Sequence, residues 1–349
     1  LEGTVCTIVE LSGQDMRRRK LLLGSVFSAA AFAEPALFAL TVPPAQRTAR
    51  AGGRRIGMAE VEVLTEQVTH LAQLDCRYGS GRVREQMVSL LNRAANQLLH
   101  GSYSEQTGKA LLTAVAQATS FAGFTAVDVG RHSLAQRYYI QAVDLALSAG
   151  DRLYAAGVLS EMGRLTLQIG QSARTDRDRL GRQAVALARA GLVVTQGTVT
   201  PLMAADLHTV QARGLALLGD IRAARHAVRE AERSYESIRP GAEPAWTCFY
   251  TEAAFASDLG RCLSGIGELE QAITLSTAAL HGYDPERVRN RCFVQTDLAG
   301  THLLAQNLEQ AAASGRAALR TAAEVSSTRT LDSLRTLQRQ VRPLRSASP

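Results

Sequence analysis

Lysine is nearly missing from this chain. Only Lys20 and Lys109 occur in 349 residues, so 37 of the 39 basic side chains are arginine. Proline is held to 9 and aromatics to 5%, a scarcity that disfavours sheet-rich folds and leaves alanine and leucine to set the local structure. The five cysteines, Cys6, Cys76, Cys248, Cys262 and Cys292, form no Cys-x-x-Cys pair and are odd in number. A disulfide framework and a zinc site are therefore both unsupported, and buried free thiols are the reading that remains. The seven histidines show no pair at metal spacing, and phosphate-loop and nucleophile-elbow motifs are lacking. No cofactor, no metal and no enzymatic activity are expected. The net charge of +7 divides into +4 over residues 1–57 and +3 over the rest, too thin a basic excess for a nucleic-acid-binding face.

What is present is a repeated spacing. Turns are expected at Gly130-Arg131, Gly170-Gln171, Gly219-Asp220 and Gly267-Glu268, and at Gln306-Asn307, where the glycine is replaced. Five residues after the turn stands a small residue, Ala135, Ala224, Ala272 or Ala311, with Thr175 the exception. Seven before it stands another, Gly123, Gly163, Ala212, Gly260 or Ala299. Small residues on two facing helices permit close approach, so the pattern predicts stacked helical hairpins. The intervals between turns, 40, 49, 48 and 39 residues, exceed the roughly 34 of a tetratricopeptide repeat. The expected fold is all-α: a tetratricopeptide-like right-handed hairpin solenoid of about five hairpins, with N-terminal helices and a C-terminal capping helix over Leu331–Val341.

Residues 1–57 are expected to be a linker or disordered segment ahead of a helical body over 58–345. Within it, the stretch from Met16 to Leu40 has the charged cluster, apolar run and Ala31-Phe32-Ala33 of a twin-arginine export signal cleaved after Ala33. It equally reads as an internal linker, with Glu34 and Pro35 interrupting any membrane span. From Met58 the periodicity is helical: Val61, Leu64, Val68 and Leu71 share one face, and Val83, Met87, Leu90 and Leu91 share a face of the next helix. The polar stretch from Gln171 to Arg182 is expected to delay a helix until about Gln183. Longer loops are expected at Gly197–Pro201 and Pro240–Pro244.

Two stretches carry a resemblance to a known family: LTEQVTHLAQLDCRYGSG (Leu64–Gly81) and AVDVGRHSLAQRYYIQAVDLALSAGD (Ala126–Asp151). They resemble the C-terminal region of Cro/repressor-type helix-turn-helix transcriptional regulators of high-GC Gram-positive bacteria. That resemblance implies a tetratricopeptide-like sensor region in the cytoplasm, touching DNA only through a helix-turn-helix domain that residues 1–57 cannot supply. No membrane partner is expected, and a homodimer is an open expectation.

The residue after each small slot is expected to face a concave groove. Those residues are Phe124, Arg164, Arg213, Arg261 and Gly300, with Asp206, Asp258, Gln295 and Asp297 nearby. Arginine's planar fork suits a carboxylate or phosphate, so the groove is a candidate site for a peptide, a small anionic signal or a protein partner. The competing expectation is that each arginine pairs with a neighbouring carboxylate. Two functions compete with the sensor: an exported helical-repeat binding protein, and a protein–protein scaffold.

Overall fold

The computed structural model describes residues 1–16, 27–41, 48–172 and 176–345. Among them are fifteen α-helices and no strand, with 81% helix overall. The charged cluster of the export-signal expectation, the heart of its apolar run and Thr175 lie outside the described residues.

The recurrent turn explains why the helices pair. At Gly130, Arg131 N–H donates to Ala126 O at 2.8 Å while Gly130 N–H donates to Val127 O at 2.9 Å. This paired closure satisfies two carbonyls orphaned at a helix end and requires a left-handed residue. The same two bonds recur at Gly150, Gly219, Gly267 and Gln306, whose φ values are 82°, 77°, 86° and 61°. Glycine adopts that region without a Cβ penalty, whereas Gln306 does so at a cost. Gly170 is not such a turn. It lies inside a helix, where an added Cβ would sit 2.8 Å from Leu217 Cδ2 and 3.2 Å from Leu180 Cβ. The helix holding Gly170 runs on to Ser172, and Asp176, just before the next helix, is left-handed at φ 68°.

Contacts divide the chain into two compact units. The first comprises residues 1–75, 82–166 and 186–199. It contains α1 (Glu2–Met16), α2 (Ala33–Leu40), most of α3 (Met58–Tyr78) and α4 (Ser80–His100), α5 (Glu105–Asp128), α6 (His132–Ala149) and the first part of α7 (Arg152–Ser172). The apolar faces expected on α3 and α4 are buried. Ser104 caps α5, its side chain accepting from Thr107 N–H. α5 and α6 close on each other where Gly123 admits the ring of Tyr139: an added Cβ would lie 3.0 Å from Tyr139 Cε1, and Tyr139 is 1% exposed. α5 is long and apolar enough to span a bilayer, but 72% of that window is buried within the protein, and the apolarity serves helix packing.

The stretch expected to be linker holds structure over its described parts. Val5, Ile8, Leu11 and Ser12 recur three, three and one residues apart and are buried, and α1 packs on α6. Thr4 Oγ1 donates to Asp144, and Asn92 Nδ2 donates to Ser12 Oγ at 2.9 Å. At the last turn of α1, Asp15 accepts from Arg84, from Arg131 at 2.8 Å and from the Tyr138 hydroxyl at 3.1 Å. Ser28 and Gln136 exchange two hydrogen bonds, at 3.2 and 2.6 Å. Further on, the Glu105 carboxylate accepts from the Thr48 and Ala49 N–H groups at 2.9 and 3.0 Å, and Ile56 N–H donates to Ser102 O at 2.9 Å.

The second unit comprises residues 76–81, 167–185 and 200–349. It holds the first half of α8 (Arg177–Val194), α9 (Pro201–Leu217), α10 (Ile221–Glu236), α11 (Glu252–Gly265), α12 (Leu269–Gly282), α13 (Val288–Leu304), α14 (Leu308–Ala322) and α15 (Thr328–Arg345). α8 begins six residues before the sequence suggested, because Arg177 and Asp178 open the helix as an exposed polar turn. α9 packs on α10, α11 on α12 and α13 on α14; α9 also touches α11, which touches α13, which touches α15. The small slots sit at the pair contacts: Ala212, Ala224, Ala272 and Ala299 are fully buried, and a Cβ on Gly260 would meet Ser276 Oγ at 2.3 Å. Around them Leu215, Val228, Phe255, Leu259 and Leu263 form one apolar cluster, with Tyr235 and Phe255 stacked at 3.9 Å. Each such side chain contributes about 1.5–3 kcal/mol on burial.

Candidate functional site

Four of the arginine-groove candidates meet across helices of the second unit. Thr200 and Thr251 cap α9 and α11, their side chains accepting from Met203 and Ala254 N–H, and the helices carry Arg213, then Asp258 and Arg261. Of the two expectations for these arginines, the pairing with neighbouring carboxylates is the one seen for Arg213 and Arg261. Each arginine reaches the carboxylate three residues before the equivalent slot of the next helix in the series. Arg213 Nη1 lies 4.0 Å from Asp258 Oδ1, and Arg261 Nε lies 2.6 Å from Asp297 Oδ2. Arg261 Nη1 also reaches Asp258 Oδ1, one turn back, at 3.0 Å. At the third position Gly300 stands in the arginine slot, and a Cβ there would lie 3.4 Å from Gln340 Oε1 of α15.

The result is an alternating ladder of Arg213, Asp258, Arg261 and Asp297. Asp258 is 3% exposed and also accepts from the Tyr250 hydroxyl at 3.2 Å. Burial opposes the charge on Arg261, but the Asp297 and Asp258 carboxylates outweigh it and hold the guanidinium above its ordinary value. Burial raises the Tyr283 hydroxyl too, with Asn290 and Arg261 working against that shift. A guanidinium held this firmly stays charged, so Arg261 acts in the ladder as a fixed positive charge. Arg261 cross-links α11 to α13 by its hydrogen bond to Asp297, and Asp258 joins α11 to α9 through its ion pair with Arg213. The Asp297 side chain, 33% exposed, is the member most open to a ligand.

The other candidates are placed as follows on their helices. Asp206 is 8% exposed on α9, seven residues before Arg213 and so on the same side of that helix. Gln295 is 8% exposed with its Oε1 lacking a hydrogen bond. Two residues before Asp297, it points to a different side of α13. Phe124 and Arg164 belong to the first unit. Phe124 stacks on Phe121 with ring centroids 6.0 Å apart, and Arg164 lies 3.9 Å from Glu161 one turn back. Tyr283 escaped the sequence reading because a tyrosine at a helix end carries no motif. Tyr139 is a core residue. Arg287 lies over the ring of Phe249 at 5.8 Å, so the 245–249 turn is tied to α13.

The first unit has its own concavity, a cleft of about 380 Å³ between α3 and α4 floored by Leu64, Leu90 and Ala94, with Glu60 and Arg93 at its edge. Among the described residues no three His, Cys, Asp or Glu side chains are grouped as a metal ion requires. The fold and site together define an all-helical protein with an internal charge ladder. No family model and no curated protein matches the chain.

Proposed function

We propose that this chain is the regulatory sensor or interaction region of a transcriptional regulator, a tetratricopeptide-like solenoid holding a peptide, a small signal molecule or a protein partner. The observation carrying this reading is the succession of α9, α11 and α13 in contact, with one continuous ladder of charge running across all three. Such a series of first helices, each backed by its partner, is the architecture of proteins that bind partners along a face. The ladder ends at Asp297, half-way to solvent, and a ligand bearing a cation or amide donor would bind there by extending the alternation. Ligand contact at that end would change how α11 and α13 pair, and a few kcal/mol of differential affinity is enough to shift such an equilibrium.

The test is binding of an extended-peptide library to the full chain, read by thermal shift and calorimetry, beside Asp297→Ala and Arg261→Lys. A peptide that binds the parent with micromolar affinity and loses about ten-fold in Asp297→Ala supports the site. Peptides that bind all three proteins equally place recognition elsewhere and reject it.

A further inference from the structure

Asp15 sits in a receptor built by three donors from α4 and α6 and the turn before α6. The Arg84 side chain is 10% exposed and Asp15 3% exposed, and Tyr138 is fully buried. Arg84 is oriented from behind, its Nη1 donating to Thr125 Oγ1 at 2.8 Å and to Ala122 O at 3.1 Å. Burial pulls its guanidinium below the ordinary value and the Asp15 charge opposes this. Two guanidinia and a hydroxyl converging on one carboxylate make an oxyanion pocket, and the carboxylate belongs to α1.

Apart from Asp15, α1 is held by the buried Val5, Ile8, Leu11 and Ser12 and by the hydrogen bonds of Thr4 to Asp144 and of Asn92 to Ser12, and a helix this short is marginal alone in water. If α1 left, the charge on Arg84 would remain in a buried place with hydrogen bonds to Thr125 and Ala122 but no opposite charge. That state is strongly unfavourable unless another anion replaces Asp15. Departure of α1 and arrival of an anion are therefore the same event seen from two sides.

We propose that Arg84, Arg131 and Tyr138 form a binding pocket for a carboxylate- or phosphate-bearing ligand, which Asp15 fills in cis, so that ligand entry releases α1. The coupling is reciprocal: whatever loosens α1 raises the affinity for the anion, and the anion loosens α1 by the same factor. This pocket is independent of the ladder in the second unit, and its failure would leave the reading of that ladder untouched.

The experiment uses the full chain with inorganic phosphate and succinate as probes, against chloride at matched ionic strength. Amide hydrogen exchange over residues 2–16 and calorimetric affinity are both measured. Asp15→Asn is expected to exchange at least about ten-fold faster in that segment and to bind one of the probes at least about ten-fold more tightly than the parent. Adding Arg131→Gln removes the gain. The tighter probe identifies whether the pocket prefers carboxylate or phosphate. Leu11→Ala, which weakens the apolar contact and spares the pocket, is the second variant should Asp15→Asn fail to fold; it is expected to shift both readouts in the same direction. Unchanged exchange in the folded variant, or faster exchange with no gain in anion affinity, overturns the proposal and leaves Asp15 as a fixed structural tie.

Discussion

Arg261 Nε donates to Asp297 Oδ2 at 2.6 Å, joining α11 to a residue 36 positions later on α13. The same guanidinium serves Asp258, which is almost wholly buried. Replacing Arg261 by Ala takes from that carboxylate the guanidinium hydrogen-bonded to it. The expected loss is about 3 kcal/mol of unfolding free energy, since removing one partner strands a buried charge. Arg261→Ala combined with Asp258→Ala should cost less than the two single changes added together. Urea denaturation of the three variants measures the coupling.

Gln306 holds the left-handed position that glycine holds at the other hairpin turns, at φ 61°. Gln306→Gly should stabilise the protein by about 0.5–1 kcal/mol, because the strain removed exceeds the entropy added to the unfolded chain. Gly219→Ala, where open space surrounds the added Cβ but φ is 77°, should destabilise by about 1 kcal/mol. Thermal unfolding of the pair reads opposite signs from one backbone effect.

Gly123 faces the Tyr139 ring, with the ring atoms 3.0 and 3.1 Å from an added Cβ. Tyr139 is enclosed and has no room to swing aside. Gly123→Val should therefore cost about 2–3 kcal/mol by overpacking. Gly197→Val, at a turn where nothing lies within 4 Å, is the control for a clash-free glycine change; its cost comes from φ 81° alone.

Hydrogen bonds from Thr48 and Ala49 N–H hold the Glu105 carboxylate below its ordinary value of 4.5. A carboxylate with a lowered folded value stabilises its contact above the unfolded value, and that contribution is lost as pH falls through the folded one. The attachment of residues 48–49 to the start of α5 should therefore be complete above pH 4.5 and weaken only in more acidic solution. Protection of the Thr48 and Ala49 amides, corrected for intrinsic exchange, should drop over that window. Glu105→Gln should weaken it at neutral pH.

Burial pushes the Cys292 thiol up to about 11, and Cys262 is equally enclosed, whereas Cys6 and Cys248 are exposed. Iodoacetamide at pH 8 should label Cys6 and Cys248 in the native protein and reach Cys262 and Cys292 only after denaturation. Peptide mapping of the labelled sites distinguishes the two classes.

Much of the architecture was legible because one residue type marked one job. Gly130, Gly219 and Gly267 turn the chain, and Ala135, Ala224 and Ala272 allow helices to touch. The reading failed where glycine does the second job instead. Gly170 lies within α7 and makes room for Leu217 and Leu180, so counting it as a turn misplaced the following helix. Gly150 was passed over although its turn is bonded like the others. α1 was obscured by its neighbourhood: Val5, Ile8 and Leu11 carry a helical spacing, but the arginine cluster beside them drew the segment toward a leader or linker. The arginine slots could be read, with pairing to carboxylates as one of two expectations, but not which carboxylates they would meet. A helical position fixes the angle at which a side chain leaves the axis; what it meets depends on the next helix, and Asp258 and Asp297 lie 45 and 36 residues beyond their arginines.

At the hairpin turns the residue that seals one helix also opens its successor: Arg131, Asp220, Glu268 and Asn307 occupy both roles. A connection with no residue to spare tolerates neither insertion nor deletion without rotating everything downstream by about 100° per residue. Length variation among diverging copies of this gene should collect instead in longer connections such as 195–200 and 237–244.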